Sequence, residues 1–247
     1  MQTWFKSGLM LSFTRSAFAA ISMTTALIWG AVAVPCADAR SHSTPPHVLE
    51  LFTAQGCTGC PEADLALKAL MGRRDLVALT FPVDYWDYLG WKDTFARPEF
   101  TQRQAAYKLR FRLRETYSPQ LVINGHGEGA GVDPARIESE TRKLRRLPAR
   151  VSLTAHAVRV SGRAPVGGAD VWLVRYDPQD LPVQIKAGDN RGKTVTQQNV
   201  VKVLVRLGRW KGGSRTYALP TPPDAALKTL VLVQAPRGGD IIGVGPT

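Results

Sequence analysis

Cysteine is scarce in this chain, with 3 among 247 residues. That excludes a small scaffold stapled by several disulfides. There is no second CxxC, and the 4 histidines are scattered: His42 and His47 near the start, His126 and His156 far apart later. A closed zinc site needs four ligands, so zinc is not expected. Acidic residues are also few, 20 Asp and Glu against 32 Lys and Arg, for a net charge of +12. Yet no Lys/Arg block is interleaved with aromatics as at a nucleic-acid surface. Arg142-Lys143-Leu144-Arg145-Arg146 reads as the solvated face of a helix, and no nucleic-acid partner is expected. The chain also lacks a nucleophile elbow, a phosphate loop, internal repeats and low-complexity tracts. No cofactor motif is found.

What is present begins with a targeting pattern. Lys6 and Arg15 precede Ala17 to Val34, a stretch almost free of charge, and Ala37-Asp38-Ala39 offers an A-x-A cleavage site. Residues 1–39 therefore read as a secretory signal, with residues 40–47 a flexible lead-in. The protein is expected to be exported, periplasmic or extracellular. An uncleaved membrane anchor is the competing reading, and only then is membrane contact expected. Cleavage removes Cys36 and leaves Cys57 and Cys60. Pro35 before Cys36 argues against a lipoprotein site.

Cys57-Thr58-Gly59-Cys60 sits between an apolar run, Val48 to Phe52, and a helix-like stretch from Pro61 to Met71. On the first turn of a helix, unpaired N–H groups and the helix dipole favour a thiolate. The pair closes only a tiny loop, which constrains the unfolded chain little. A redox or ligand role is thus favoured over a structural bridge.

The spacing predicts β-α-β-α-β-β-α over residues 48–148. Strands are expected at Val48–Thr53, Leu76–Val83 and Gln120–Asn124. Helices carry Ala63, Leu67 and Leu70, then Phe100, Gln104, Tyr107 and Phe111 after Pro98. Asn124-Gly125 signals a type I′ hairpin returning through Gly127 to Val132. Asp133-Pro134 caps a last helix with Ile137, Thr141 and Leu144 inward, ended by Pro148. This order, with CxxC after the first strand, is that of a thioredoxin-like α/β domain with a mixed sheet. From Val151 the texture becomes short strands with Gly-rich turns, predicting a separate small all-β, sandwich-like domain over 149–247.

In that topology the loops after the first two strands meet the start of the third. There lie the CxxC, the aromatic loop Asp84-Tyr85-Trp86-Asp87-Tyr88-Leu89-Gly90-Trp91, and Ser118-Pro119. A cis Pro119 facing the dithiol would leave the Ser118 backbone free to pair with an extended substrate. Trp86 either rims the thiols or, with Tyr88 and Trp91, plugs a domain junction. Asp84 or Asp87 is a candidate proton acceptor, though such residues more often cap a loop or helix.

Several of these segments resemble one family. They are Glu50 to Asp64 (ELFTAQGCTGCPEAD), Val83 to Asp93 (VDYWDYLGWKD), Tyr117-Ser118-Pro119-Gln120, Asn190-Arg191-Gly192, Asn199-Val200-Val201 and Leu207-Gly208-Arg209-Trp210. The family is domain of unknown function 1223, and the resemblance spans nearly the whole exported part. It implies an exported bacterial protein of the thioredoxin-like superfamily, without a settled activity. The pattern departs from ordinary thioredoxins: Gly56 precedes the first cysteine, Thr58-Gly59 lies between the two, and Pro61 follows the second. The place of their buried acid is Leu51, and alternation turns the neighbouring Glu50 to the opposite face unless the longer Gln55-Gly56 loop compensates.

The function expected is an exported thiol–disulfide oxidoreductase exchanging with protein thiols and disulfides. Cys57 is the exposed attacking thiol, Cys60 the resolving one, and Ser118, Pro119 and Trp86 meet the substrate. Its rivals are a non-catalytic binding or assembly module with a structural CxxC disulfide, and a transient Cu(I) chaperone using both thiolates.

Overall fold

Buried strand edges must be paired, and that requirement organises this molecule. A computed structural model describes residues 45–143, 147–220 and 224–246; the expected signal segment and Cys36 lie outside the described residues, as does Leu144. No helix among the described residues is long and apolar enough to cross a membrane.

The first half follows its sequence pattern. Strand β1 (His47–Thr53) leads through the CxxC loop into α1 (Cys60–Lys68), then β2 (Leu76–Pro82), α2 (Pro98–Phe111), β3 (Gln120–Ile123), β4 (Gly127–Ala130) and α3 (Pro134–Lys143). β1 runs parallel to β2 and antiparallel to β3, and β3 pairs with β4. The hairpin turn has Asn124 and Gly125 at φ 50° and 65°, the left-handed pair a type I′ turn requires. Asp133 caps α3 by accepting from Ala135 N–H at 2.9 Å.

The second half adds β5 (Ala149–Leu153), β6 (Ala157–Gly162), β7 (Ala169–Asp177), β8 (Leu181–Gln184), β9 (Thr194–Gln197), β10 (Val200–Trp210), β11 (Arg215–Ala218), β12 (Lys228–Gln234) and β13 (Ile241–Gly245). Here the expected fold class is overturned. Strands from before and after residue 149 join in one mixed eight-stranded sheet of order β13-β12-β7-β10-β2-β1-β3-β4. The described chain is mostly β, with three α-helices among the described residues, and is not a thioredoxin-like α/β domain followed by a separate sandwich. The reason lies at β2. Its sequence, LVALTFP, is buried almost throughout, so its second edge cannot be left open to water or unpaired. β10 closes it, running parallel with Val200 opposite Thr80.

Side chains reinforce this seam. Thr80 N–H donates to Asn199 O at 3.0 Å, Thr80 Oγ1 donates to Gln198 O at 2.7 Å, and Asn199 Nδ2 donates to Ala78 O at 2.8 Å. Alternation along the strands then sorts the cores. Phe52, Phe81, Val174 and Leu232 pack under α2 around Phe100 and Tyr107. Leu49, Leu51 and Ala78 pack against α1 and α3, while Leu173, Val231 and Val233 meet Val158 and Val160 of the smaller β11-β6-β5 sheet.

Asn199 sits at φ 50°, a conformation costing most L-residues about 1–2 kcal/mol. Asn199→Ala should therefore lose both the bond to Ala78 and the tolerance for that backbone, about 1–3 kcal/mol in urea unfolding. Asn199→Gly should lose less, since it relieves the backbone part. Equal losses for both would show that only the side-chain bond matters.

Candidate functional site

The CxxC loop leaves β1 at Thr53 and enters α1 at Cys60, so both cysteines lie at the helix N-terminus. They form a disulfide with Cα atoms 5.4 Å apart. Backbone bonds tighten the loop: Cys57 N–H donates to Ala54 O and Cys60 N–H to Cys57 O, both at 3.2 Å. Cys57 is 2% exposed and Cys60 is fully buried. The expectation of an exposed attacking sulfur is thus corrected: Thr58 and Gly59 are the exposed residues of the motif.

The predicted segments do come together. Cys57 Sγ lies 3.5 Å from Ser118 O, and the Ser118–Pro119 bond is cis. Trp86 Nε1 donates to Ser118 Oγ at 2.7 Å, with exposed Tyr88 stacked on its ring at 6.4 Å. Trp91 turns elsewhere, donating to Gln55 Oε1 at 2.9 Å. Asp84 accepts from Thr101 Oγ1 at 2.6 Å, and Asp87 accepts from Asp93 N–H at 3.0 Å. Both brace the aromatic loop. Glu50 faces α2, as alternation required, and is buried against Arg103 at 2.6 Å.

Residues outside the expected site residues hold the loop from behind. Gln55 is fully buried; its N–H donates to Asp93 Oδ2 at 2.7 Å and its Nε2 to Thr94 Oγ1 at 2.7 Å. Asn190, 135 positions later, donates through Nδ2 to Gln55 O at 2.9 Å and Cys57 O at 2.8 Å. No local pattern announces such a contact.

Asp64 was the other omission, and its spacing was legible. It follows Cys60 by four residues, which places both on one face of α1. Its side chain is buried, Oδ2 accepts from Thr53 Oγ1 at 3.2 Å, and Oδ1 has no hydrogen-bond partner within ordinary bonding distance among the described residues. Burial raises its pKa to about 8, opposed by hydrogen bonding from Thr53; nearby Asp93 raises it further, while Gln197 lowers it. Asp93 is itself raised by burial, against three backbone N–H donors. With that pKa Asp64 is largely protonated at neutral pH, on the face of α1 that also carries Cys60. Among the described residues no group of three or more His, Cys, Asp or Glu is placed to hold a metal.

Comparison with known proteins bears on identity. Residues 48–234 match the family described as Protein of unknown function (DUF1223), and the chain belongs to that family. It is similar to a crystal structure of a protein from Agrobacterium tumefaciens, at 30% identity and TM-score 0.67, covering 82% of this chain and 93% of that one. It also resembles HBP35 of Porphyromonas gingivalis at 16% identity and TM-score 0.55, covering 82% and 74%; that likeness concerns fold alone. No curated protein matches.

The raised Asp64 pKa carries a sign. Between 3.8 and about 8 the folded chain holds a proton that the unfolded chain has released, so stability falls as pH rises through that window. Asp64→Asn cannot ionise and loses this slope. Relative to wild type it should gain on the order of a few kcal/mol in unfolding free energy between about pH 4 and pH 8.5. A constant difference across that range would mean that Asp64 titrates as an ordinary carboxyl.

Proposed function

We propose that this member of the DUF1223 family is an exported thiol–disulfide oxidoreductase, with Cys57–Cys60 its redox group and protein thiols its substrates. The observation that carries this is the disulfide at the N-terminus of α1, with a protonated carboxyl, Asp64, one turn behind the inner cysteine. Export rests on the Lys6 to Ala39 pattern, and an oxidising compartment suits such a pair.

The exchange is balanced as follows. A substrate thiolate attacks Cys57 Sγ, the Sγ–Sγ bond breaks, and Cys60 departs as a thiolate. Asp64 gives it a proton and becomes a carboxylate. A second substrate thiolate then attacks the substrate sulfur of the mixed disulfide, releasing oxidised substrate and the Cys57 thiolate. In reverse, Asp64 accepts the Cys60 proton as that sulfur attacks. Helix dipole and unpaired N–H groups favour the Cys57 thiolate as leaving group. The net direction follows the reduction potential against the partner's.

Substrate access is supported by a groove of about 400 Å³ starting at Gly59 and Pro119. Its walls include Ala63 and Ala66 of α1 and Ala130 and Gly131 beyond β3. Such small side chains admit the backbone of an extended polypeptide. Ser118 and Pro119 are proposed to position that segment, with Trp86 fixing Ser118.

One observation favours the rival, a binding module with a structural disulfide: both sulfurs are buried, at 2% and 0%. The two are separated by exchange. Cys60→Ala, treated with a reduced dithiol protein and diamide, should accumulate a mixed disulfide on Cys57, visible on a non-reducing gel and absent from Cys57→Ala. The wild-type pair should equilibrate with glutathione, and Asp64→Asn should slow resolution on the order of 10²-fold while flattening its pH profile. A pair that never equilibrates with glutathione, together with no trapped species, would leave the structural role standing.

A further inference from the structure

A cavity of about 210 Å³ lies between α2 and the large sheet, and the dithiol chemistry makes no use of it. Its lining includes Arg103, Ala106 and Tyr107 from α2, facing Trp172, Leu204 and Gln234 from the sheet. Dry cavities of about 150 Å³ are known to accept benzene. This one has room for a single ring with a small substituent.

Its polar lining is built around Arg103, which is 7% exposed. Nε and Nη2 donate to Glu50 Oε1 at 3.0 and 2.6 Å, and Nη2 also reaches Tyr107 Oη at 3.2 Å. The guanidinium stands 5.7 Å from the Trp172 ring centre. Nη1 has no hydrogen-bond partner among the described residues. A guanidinium has five N–H donors in a fixed fork, and Nη1 is not among the fully buried side-chain atoms left without a partner, so it reaches the accessible side of the cavity. Nη1 is therefore the donor that the side chain can offer to an occupant.

Charge decides what that occupant is. Each carboxylate around the cavity has its own arginine: Glu50 with Arg103 at 2.6 Å, Asp170 with Arg206 at 2.6 Å and Glu99 with Arg97 at 3.8 Å. Arg237, which is exposed and also lines the cavity, has no ion-pair partner among the described residues. The local surplus is positive, beside the apolar surface of Trp172 and Leu204.

We infer that this cavity is a binding site for a small aromatic carboxylate, its ring against Trp172 and Leu204 and its carboxylate between Arg103 Nη1 and Arg237. The fork geometry suits a planar carboxylate. Nothing in this depends on the cysteines.

Calorimetric titration of the full chain with sodium benzoate and with benzamide, its neutral near-isostere, tests the assignment. One saturable benzoate site is expected, about tenfold or more tighter than for benzamide. Leu204→Trp fills the cavity without touching the Glu50–Arg103 pair and should weaken benzoate at least about tenfold with an unchanged circular dichroism spectrum. Arg103→Lys keeps a charge opposite Glu50 but lacks Nη1, and should abolish the preference for benzoate. No saturable benzoate heat, equal affinity for the two compounds, or undiminished binding by Leu204→Trp overturns the proposal.

Discussion

The pairing of β2 with β10 is the constraint on which the rest of this structure depends. Backbone registration there is brief, Val200 opposite Thr80, but it fuses the strands of both halves into one sheet. Hydrophobic burial alone would not need it, because two separate cores could each bury their own strands. The unpaired edge of a buried strand would need it, since each orphaned amide costs about as much as a lost hydrogen bond or more. The thrift is visible in Asn199 and Gln198, which satisfy β2 groups through a side chain and a carbonyl where the ladder itself is short.

Two consequences follow from that seam. On the α2 face, joining the halves brings Gln234 of β12 against Tyr107, which shares Glu50 with Arg103. A buried ion pair of this kind is not in itself a source of stability. It ties β1 to α2 through charge, and Tyr107 ties α2 to β12 through Gln234, so a slip of either leaves a buried polar group unpaired. At the loop end, the segment between β8 and β9 brings Asn190 behind the CxxC. The dithiol loop is thus held by the half of the chain that does not contain it.

This explains what was readable in the sequence and what was not. The first seven elements were legible because each carries a local signal: helical spacing at Phe100, Gln104 and Tyr107, the Asn124-Gly125 turn, the Asp133-Pro134 cap. Meeting of Trp86, Ser118 and Cys57 followed from the direction of three strands. The fold class failed because period-2 alternation says that Val201, Val203 and Val205 form a strand, and not which strand they pair with. The proton-handling candidates differ from the carboxyls that burial perturbs. Asp84 and Asp87 were chosen for nearness along the aromatic loop, whereas burial selects Asp64 and Asp93. The four-residue step from Cys60 to Asp64 is the local signal that places Asp64 on the Cys60 face of α1.

On the oxidoreductase proposal, the burial of both cysteines constrains how exchange would proceed. Attack on a disulfide needs approach along the S–S axis, and Cys57 at 2% exposure offers little room for it. The exposed residues are Thr58 and Gly59, so the loop between the cysteines is the part free to move outward. Its anchors are not symmetric. Thr58 Oγ1 holds only the surface carboxylate of Asp189 at 3.1 Å, an exposed and weak contact. Asn190 holds the carbonyls of Gln55 and Cys57 from a fully buried position. Opening should therefore pivot about Cys57 and swing Thr58-Gly59 away from Pro119, baring Cys57 Sγ while Cys60 stays buried. On the oxidoreductase proposal, this asymmetry gives the two sulfurs their separate roles: mobility exposes one, and a buried carboxyl serves the other.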